Sequence, residues 1–159
     1  MSYIKQMQDL AEEFYRTTGR KTASTKEMAR WAIEKDKWQR HDEAALNQCA
    51  EDFRRALRED YRTDPKTGRR YRAKHAAPVE RSGKQVMLWG DISRVDRNFM
   101  EGAVRLRRNQ IVGDCFQLKQ DVDTFNDNYN KGEEILLPLD FTPDVEEAEE
   151  MAKLKKDAA

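Results

Sequence analysis

Apolar residues recur every three or four positions through the first sixty residues, which is the spacing of one face of a helix. Residues 3–17 carry such a stripe and predict a first helix. Ser24 and Glu27 have the S-x-x-E spacing of a capping box, which predicts that a second helix begins there. A third stripe follows Asp42, the predicted N-cap of a third helix. The chain is therefore expected to begin with three helices.

The spacing between apolar residues then shortens to every second position, which is the period of a strand. Residues 64–68 read Asp-Pro-Lys-Thr-Gly, and a proline followed by a closing glycine is typical of a β-turn. Residues 69–74 alternate and predict a strand, as do residues 84–89. Loops are predicted at 77–78 and 81–83, where proline and glycine interrupt the pattern. We expect a small antiparallel sheet of two or three strands.

A long helical pattern follows the strands. Ser93 and Asp96 repeat the S-x-x-acid spacing, so a helix is predicted from residue 94 to 128, with bends or breaks expected at Gly102 and Gly113. Its main stripe steps 4-3-4-3-4-3-4, and the positions are Val104, Arg108, Ile111, Cys115, Leu118, Val122, Phe125 and Tyr129. This spacing allows two interpretations, packing against the head of the chain or a seam for a homodimer or a protein partner. Arg108 interrupts the stripe and weakens its interpretation as a seam for a partner.

The last thirty residues carry weaker signals. Residues 135–139 form a short extended apolar segment that contains a proline. Thr142 is the predicted N-cap of a final helix, with Pro143 in its first turn. That helix is acidic at its beginning and basic at its end, which suits its dipole.

The order of three helices followed by a basic, turn-linked hairpin resembles the winged helix-turn-helix family. The resemblance is one of layout and covers about residues 3–90. It implies a recognition helix at 42–60, which would enter the major groove of DNA, and a wing centred on Pro65–Gly68. The expected fold is mainly α with a small antiparallel β-hairpin or sheet, a winged-helix-like head and a long helix. The expected domains are a basic domain at 1–92, an interaction helix at 93–130 and an acidic extension at 131–159.

The charges are distributed unevenly although the chain has 30 basic and 30 acidic residues. Residues 1–110 hold 25 basic and 17 acidic groups, a net charge of +8, and residues 111–159 hold 5 and 13, a net charge of −8. Residues 54–84 alone hold 11 basic and 4 acidic groups, a net charge of +7. Such a basic segment is typical of proteins that bind polyanions.

The basic segment supplies the candidate phosphate contacts. Strand alternation places Arg70, Arg72 and Lys74 on one face, spaced about 7 Å apart, close to the phosphate repeat of a nucleic-acid strand. The alternative is an edge strand that charge protects from aggregation. The predicted phosphate-binding residues are Arg54, Arg55, Arg58, Lys66, Arg69, Arg70, Arg72, Lys74 and Lys84.

Base contacts are predicted from the third helix. Asn47 and Gln48 have side chains that pair with adenine edges, although they also suit ordinary solvated positions. Asp42 and Glu43 would repel phosphates at the end of the helix that usually enters the groove.

No catalytic motif is present in the sequence. Cys49 and Cys115 lie on apolar stripes outside any C-x-x-C pair, and we interpret them as small buried thiols. The chain has no P-loop, H-E-x-x-H or serine-elbow motif, and the polar residues 121–128 lack the glycine of a calcium loop. We expect no catalytic residue, no metal and no cofactor.

These observations favour a non-enzymatic DNA-binding protein, in the role of a transcriptional or mobile-element regulator. The main alternative is a protein–protein adaptor or small assembly subunit that acts through residues 93–130. A third interpretation makes the acids at 144–150 an internal competitor for the basic face, against a merely solvated terminus. The chain lacks an apolar run of membrane-spanning length and an initial apolar leader, so a cytoplasmic location without membrane association is expected.

Overall fold

A computed structural model of the chain describes residues 3–20, 23–38 and 42–159, leaving aside the side chains of Thr25, Lys26, Asp42, Glu43 and Cys49. The described part is mainly helical, with two short antiparallel hairpins and one long helix, which confirms the predicted fold class. The elements are α1 (Tyr3–Thr18), α2 (Thr25–Glu34), α3 (Asp42–Arg58), β1 (Tyr61–Thr63), β2 (Arg70–Arg72), β3 (Lys74–Arg81), β4 (Lys84–Asp91), α4 (Arg97–Asn128) and α5 (Thr142–Asp157).

The contacts divide the chain into two compact units, Met1–Phe53 and Arg54–Ala159. The boundary falls within the last turns of α3. The predicted division into 1–92, 93–130 and 131–159 stays a prediction, as does the winged-helix resemblance.

The first unit is organised by α1 and α2. Phe14 is 3% exposed, and the Trp31 ring meets it edge-on with ring centroids 5.6 Å apart. The capping box is confirmed, since the Ser24 N–H donates to the Glu27 carboxylate at 2.8 Å and the Glu27 N–H donates to Ser24 Oγ at 3.3 Å. The Ser24 N–H and the Ser24 hydroxyl, which donates to the Glu27 carboxylate at 2.9 Å, lower the pKa of Glu27 to about 2, with a further hydrogen bond from Arg20. Asp42, the predicted cap of the third helix, is instead the first residue of α3.

The strands form two separate two-stranded sheets, so the prediction of a single sheet of two or three strands is wrong in this detail. Tyr61 lies opposite Arg72 in the first hairpin, and Lys74 lies opposite Asp91 in the second. The loop predicted at 77–78 is also wrong, because both residues lie within β3. Both strands of a two-stranded sheet are edges, where a proline without an N–H group is tolerated.

Ala73 joins the two hairpins. It is completely buried, its N–H donates to the Asp60 carbonyl at 2.8 Å, and its carbonyl accepts from the Ile92 N–H at 2.9 Å. The chain passes from one sheet to the other at this residue, and these two backbone hydrogen bonds fix it there.

The long helix α4 packs against β3 near its beginning. Its N-cap is Asp96, which accepts from the Phe99 N–H at 2.8 Å, so the predicted start at Ser93 is wrong. Ser93 donates to the Asp91 carboxylate instead. The helix continues without interruption to Asn128 over about 48 Å, so the predicted break at Gly102 or Gly113 does not occur. A Cβ on Gly102 would lie 3.7 Å from that of Ala77, an ordinary van der Waals contact, so the strand packs beside this glycine with room for an alanine.

The chain turns back after α4. Asn126 donates to the Ile135 carbonyl and accepts from the Ile135 N–H, both at 3.0 Å, which holds the extended segment against the end of the helix. Thr142 is the first helical residue of α5 and not its cap, which is Phe141, and the Thr142 N–H donates to the Asp140 carboxylate at 3.1 Å. All of α5 is exposed. In the described part of the chain, no helix combines the length and the apolar character needed to cross a membrane.

Candidate functional site

The turn of the first hairpin is held by its own side chains. Asp64 accepts from the Thr67 hydroxyl at 2.6 Å and from the Lys66 N–H at 3.0 Å, and these two contacts lower the pKa of the Asp64 carboxyl. Gly68 has a φ of +70°, a conformation that favours glycine. The turn is therefore ordered, and it presents the exposed side chain of Lys66 at its tip.

Two arginine side chains of the first hairpin contact the ring of one tyrosine. The Arg70 guanidinium carbon lies 4.2 Å from the centre of the Tyr61 ring, and that of Arg72 lies 5.7 Å away. Arg72 Nε also donates to the Tyr61 hydroxyl at 3.1 Å. This hydrogen bond, together with the charges of Arg72, Arg70 and Arg107, lowers the pKa of Tyr61. The ring thus orients two guanidinium groups by cation–π contact.

Helix α4 brings a third arginine, Arg107, near Arg72 and within electrostatic reach of Tyr61. Arg107 belongs to the lining of a cleft of about 110 Å³ between the strands and α4. His75 in the same lining donates through Nε2 to the Arg72 carbonyl at 2.9 Å, which ties the two hairpins together. The lining contains no acidic residue and consists of Arg58, Arg72, Lys74, His75, Ala76, Trp89, Ala103, Leu106, Arg107 and Gln110.

Two cations of this region pair with an acid, whereas three arginines have no acidic partner among the described residues. Lys74 Nζ and Arg62 both contact Asp91 Oδ2, at 2.7 and 2.8 Å. Lys74, Ser93 and Arg62 together hold the pKa of the Asp91 carboxyl far below its usual range. Among the described residues, by contrast, no carboxylate forms an ion pair with Arg70, Arg72 or Arg107. We define these three arginines, with Tyr61, as the arginine cluster.

No protein-family model, curated protein or solved structure matches this chain.

The structure brings together only part of the predicted phosphate-binding set. Arg70 and Arg72 share a strand face as predicted, but Lys74 lies beyond the crossing point at Ala73 and pairs with Asp91. Lys66 and Arg69 are exposed at the hairpin turn, whereas Lys84 begins β4 at the other hairpin's turn. The binding roles of all these residues stay predictions.

The third helix places its predicted residues in both units. Asn47 and Gln48 are exposed, and Gln48 donates to the Asp52 carboxylate at 3.0 Å. Arg54, Arg55 and Arg58 are exposed on the last turns, and Arg58 also lines the cleft. Base reading by the first pair and phosphate binding by the arginines stay predictions.

Sequence reasoning missed Tyr61, Trp89 and Arg107 as members of the site. A run of three arginines at 105, 107 and 108 was visible, but nothing local indicates which of them faces the hairpins. Their position depends on how α4 packs against β3, which is a tertiary contact.

The predicted interaction helix keeps most of its stripe in solvent. Val104, Ile111, Leu118 and Phe125 remain 43–58% exposed, while Val122 is half-buried. Cys115 is a free, half-buried thiol, so its predicted full burial is wrong, because its stripe does not face the sheet. The side chain of Cys49 lies outside the description.

Proposed function

We propose that this chain is a non-enzymatic, cytoplasmic DNA-binding protein, and that the arginine cluster binds the phosphate backbone of the DNA. The observation that carries the proposal is the convergence of Arg70, Arg72 and Arg107 without an acidic partner among the described residues. Like charges held close together are unfavourable unless an anion joins them. A phosphate provides that anion and accepts paired hydrogen bonds from guanidinium groups.

The size of the cleft favours a backbone phosphate over a small organic ligand. About 110 Å³ is well below the roughly 300–1,000 Å³ of typical ligand pockets. Its cations continue along the exposed hairpin through Arg70 and Arg69 to Lys66. A row of exposed cations suits a polymer with repeated phosphates. Base contacts by Asn47 and Gln48 form the sequence-reading part of the proposal.

The test is a salt titration of binding to random duplex DNA. We expect the variant with Arg70→Gln, Arg72→Gln and Arg107→Gln to bind much more weakly, and the slope of log K against log salt to fall by about 2–3. The matched control removes three charges elsewhere, through Arg97→Gln, Lys119→Gln and Lys153→Gln, and should keep most of the slope. Equal slopes in the wild type and the cluster variant would overturn the proposal.

The same titration with single-stranded DNA and RNA decides between polyanions. The proposal predicts the tightest binding to duplex DNA. A preference for RNA would contradict the DNA assignment while leaving the arginine cluster as the binding surface.

The adaptor function remains a second candidate because the apolar stripe of α4 is exposed. It predicts little affinity for any nucleic acid at physiological salt and a stable complex of the chain with itself or another protein. Tight duplex binding that depends on the arginine cluster would count against it as the sole function.

The acidic tail contacts the hairpin through a basic residue. Lys156 Nζ donates to the Thr67 carbonyl at 2.7 Å, and its side chain passes over Gly68. Among the described residues, the acids between 144 and 150 form no ion pair with the hairpin. We therefore favour a solvated tail over an internal competitor, and deletion of residues 140–159 should leave duplex affinity unchanged.

A further inference from the structure

Helix α4 has two apolar faces, and the sheet covers only one of them. Phe99, Ala103 and Leu106 lie on the side that packs against β3, and Ala103 is 3% exposed. At 100° per residue, the main stripe is centred roughly 120° around the helix from this side. An apolar face that runs along an exposed helix indicates an interaction surface.

The spacing of the exposed stripe suits another helix. Its steps of four and three residues average 3.5, the period of a helix that supercoils around a partner, and they continue from Val104 to Tyr129. Most of this length lies beyond the contact with β3, and the stripe side chains there are exposed except for the half-buried Cys115 and Val122.

The charges of α4 indicate the orientation of that partner. Residues 97–110 hold four arginines and one glutamate, a net charge of +3, whereas residues 111–128 hold one lysine and four aspartates, a net charge of −3. Two copies side by side in parallel would place like charges together. Two antiparallel copies would place each positive half against a negative half.

We infer that α4 pairs with α4 of a second copy of this chain in an antiparallel, two-fold symmetric seam. The register that uses every stripe position places Ile111 opposite Val122 of the second copy and Cys115 opposite Leu118. Arg108 then faces Phe125 of the second copy, where a guanidinium stacks on an aromatic ring. The arginine that interrupts the stripe thereby acquires a partner. The inference goes beyond the proposed function and does not depend on it.

The test is the oligomeric state of the full chain, measured by light scattering and sedimentation over a concentration series. Leu118→Glu places a charge in the seam twice, because of the symmetry, and should weaken the dimer roughly tenfold or more. Phe116→Glu is the matched control, since Phe116 is 63% exposed outside the stripe and its substitution should leave the dimer intact. Circular dichroism shows whether both variants keep their helices.

Salt dependence tests the orientation. An antiparallel dimer should dissociate more readily as salt is raised, because salt screens attraction between its opposite halves. The variant with Asp121→Lys and Asp123→Lys should weaken the dimer at low salt.

A wild-type chain that stays monomeric at all concentrations would overturn the inference. So would a dimer that survives Leu118→Glu in full, or one that salt strengthens, since strengthening by salt indicates parallel pairing.

Discussion

Asp91 is the residue on which the two hairpins converge. Its carboxylate lies in β4 and contacts Lys74 of β3 and Arg62 of β1, and the Asp91 side chain is only 12% exposed. One acidic group therefore links the first sheet to the second. Because Lys74 is used here, the proposed phosphate binding rests mainly on Arg70, Arg72 and Arg107, which form no ion pair with any carboxylate in the described part of the chain.

Substitution of Asp91 by asparagine should lower the melting temperature at pH 7. The pKa of the Asp91 carboxyl is lower in the folded than in the unfolded chain, so its stabilising effect is present above the unfolded value of about 4. That effect is lost as the pH falls further, so the difference between wild type and Asp91→Asn should shrink below about pH 4. Thermal melts of both proteins between pH 7 and pH 2 measure this difference in melting temperature. Asp127→Asn, an exposed change on α4, should melt like the wild type throughout.

The capping box allows a second prediction for one residue. Ser24→Ala removes the side chain that accepts from the Glu27 N–H and should cost about 1 kcal/mol of unfolding free energy. Urea denaturation measures the change. Ser24→Thr keeps an acceptor at this position and should lose much less, whereas equal losses would show that the hydroxyl does not stabilise α2.

At the scale of elements, the packing around each glycine determines how its substitution changes the stability of the fold. A Cβ on Gly90 in β4 would overlap Val95 and lie 3.3 Å from the Phe99 ring, where α4 begins against the sheet. A Cβ on Gly113, in the middle of the same helix, would meet nothing within 4 Å. The same substitution should therefore have opposite effects at the two positions.

Gly90→Ala should destabilise the fold by about 1–3 kcal/mol because Val95 and Phe99 must move. Gly113→Ala should stabilise it by about 0.5–1 kcal/mol, since alanine restricts the unfolded chain and favours the helix. Chemical denaturation of both variants gives the sign of the change in the free energy of unfolding at each position. A loss of stability in Gly113→Ala would mean that its side of α4 is already covered.

The elements themselves were largely predictable from neighbouring residues. The capping box, the Asp64–Gly68 turn and the periodic stripes depend on short-range hydrogen bonds and turn geometry. Some errors arose where a contact distant in sequence overrode a local signal, and others where two local signals competed. Proline at 78 indicated a loop, yet pairing with β4 holds it in a strand. Ser93 matched a helix start, yet its hydrogen bonds go to Asp91.

For the whole molecule, the division of contacts predicts which fragments fold. Residues 59–159 keep both hairpins, the Asp91 ion pairs and the packing of α4 on β3. We expect this fragment to melt cooperatively and to give dispersed amide resonances. A fragment of residues 1–92 keeps the strands but loses α4, which packs on β3 beside Ala77. It should melt at a lower temperature than the 59–159 fragment, or without cooperativity. If the 1–92 fragment were the more stable of the two, the result would support the boundary at 92.

The sequence by itself determined the order of elements, the basic charge of residues 54–84 and the period of the α4 stripe, because these depend on composition and near neighbours. Only the tertiary structure decided which cations are neutralised, since Asp91 meets Lys74 across a strand pair and Arg62 across a sheet boundary. It also decided that Arg107 lies near Arg72 and Tyr61, and that the sheet covers the weaker stripe of α4 and leaves most of the stronger one in solvent. Contacts between residues far apart in sequence depend on how whole surfaces fit, which no local pattern records.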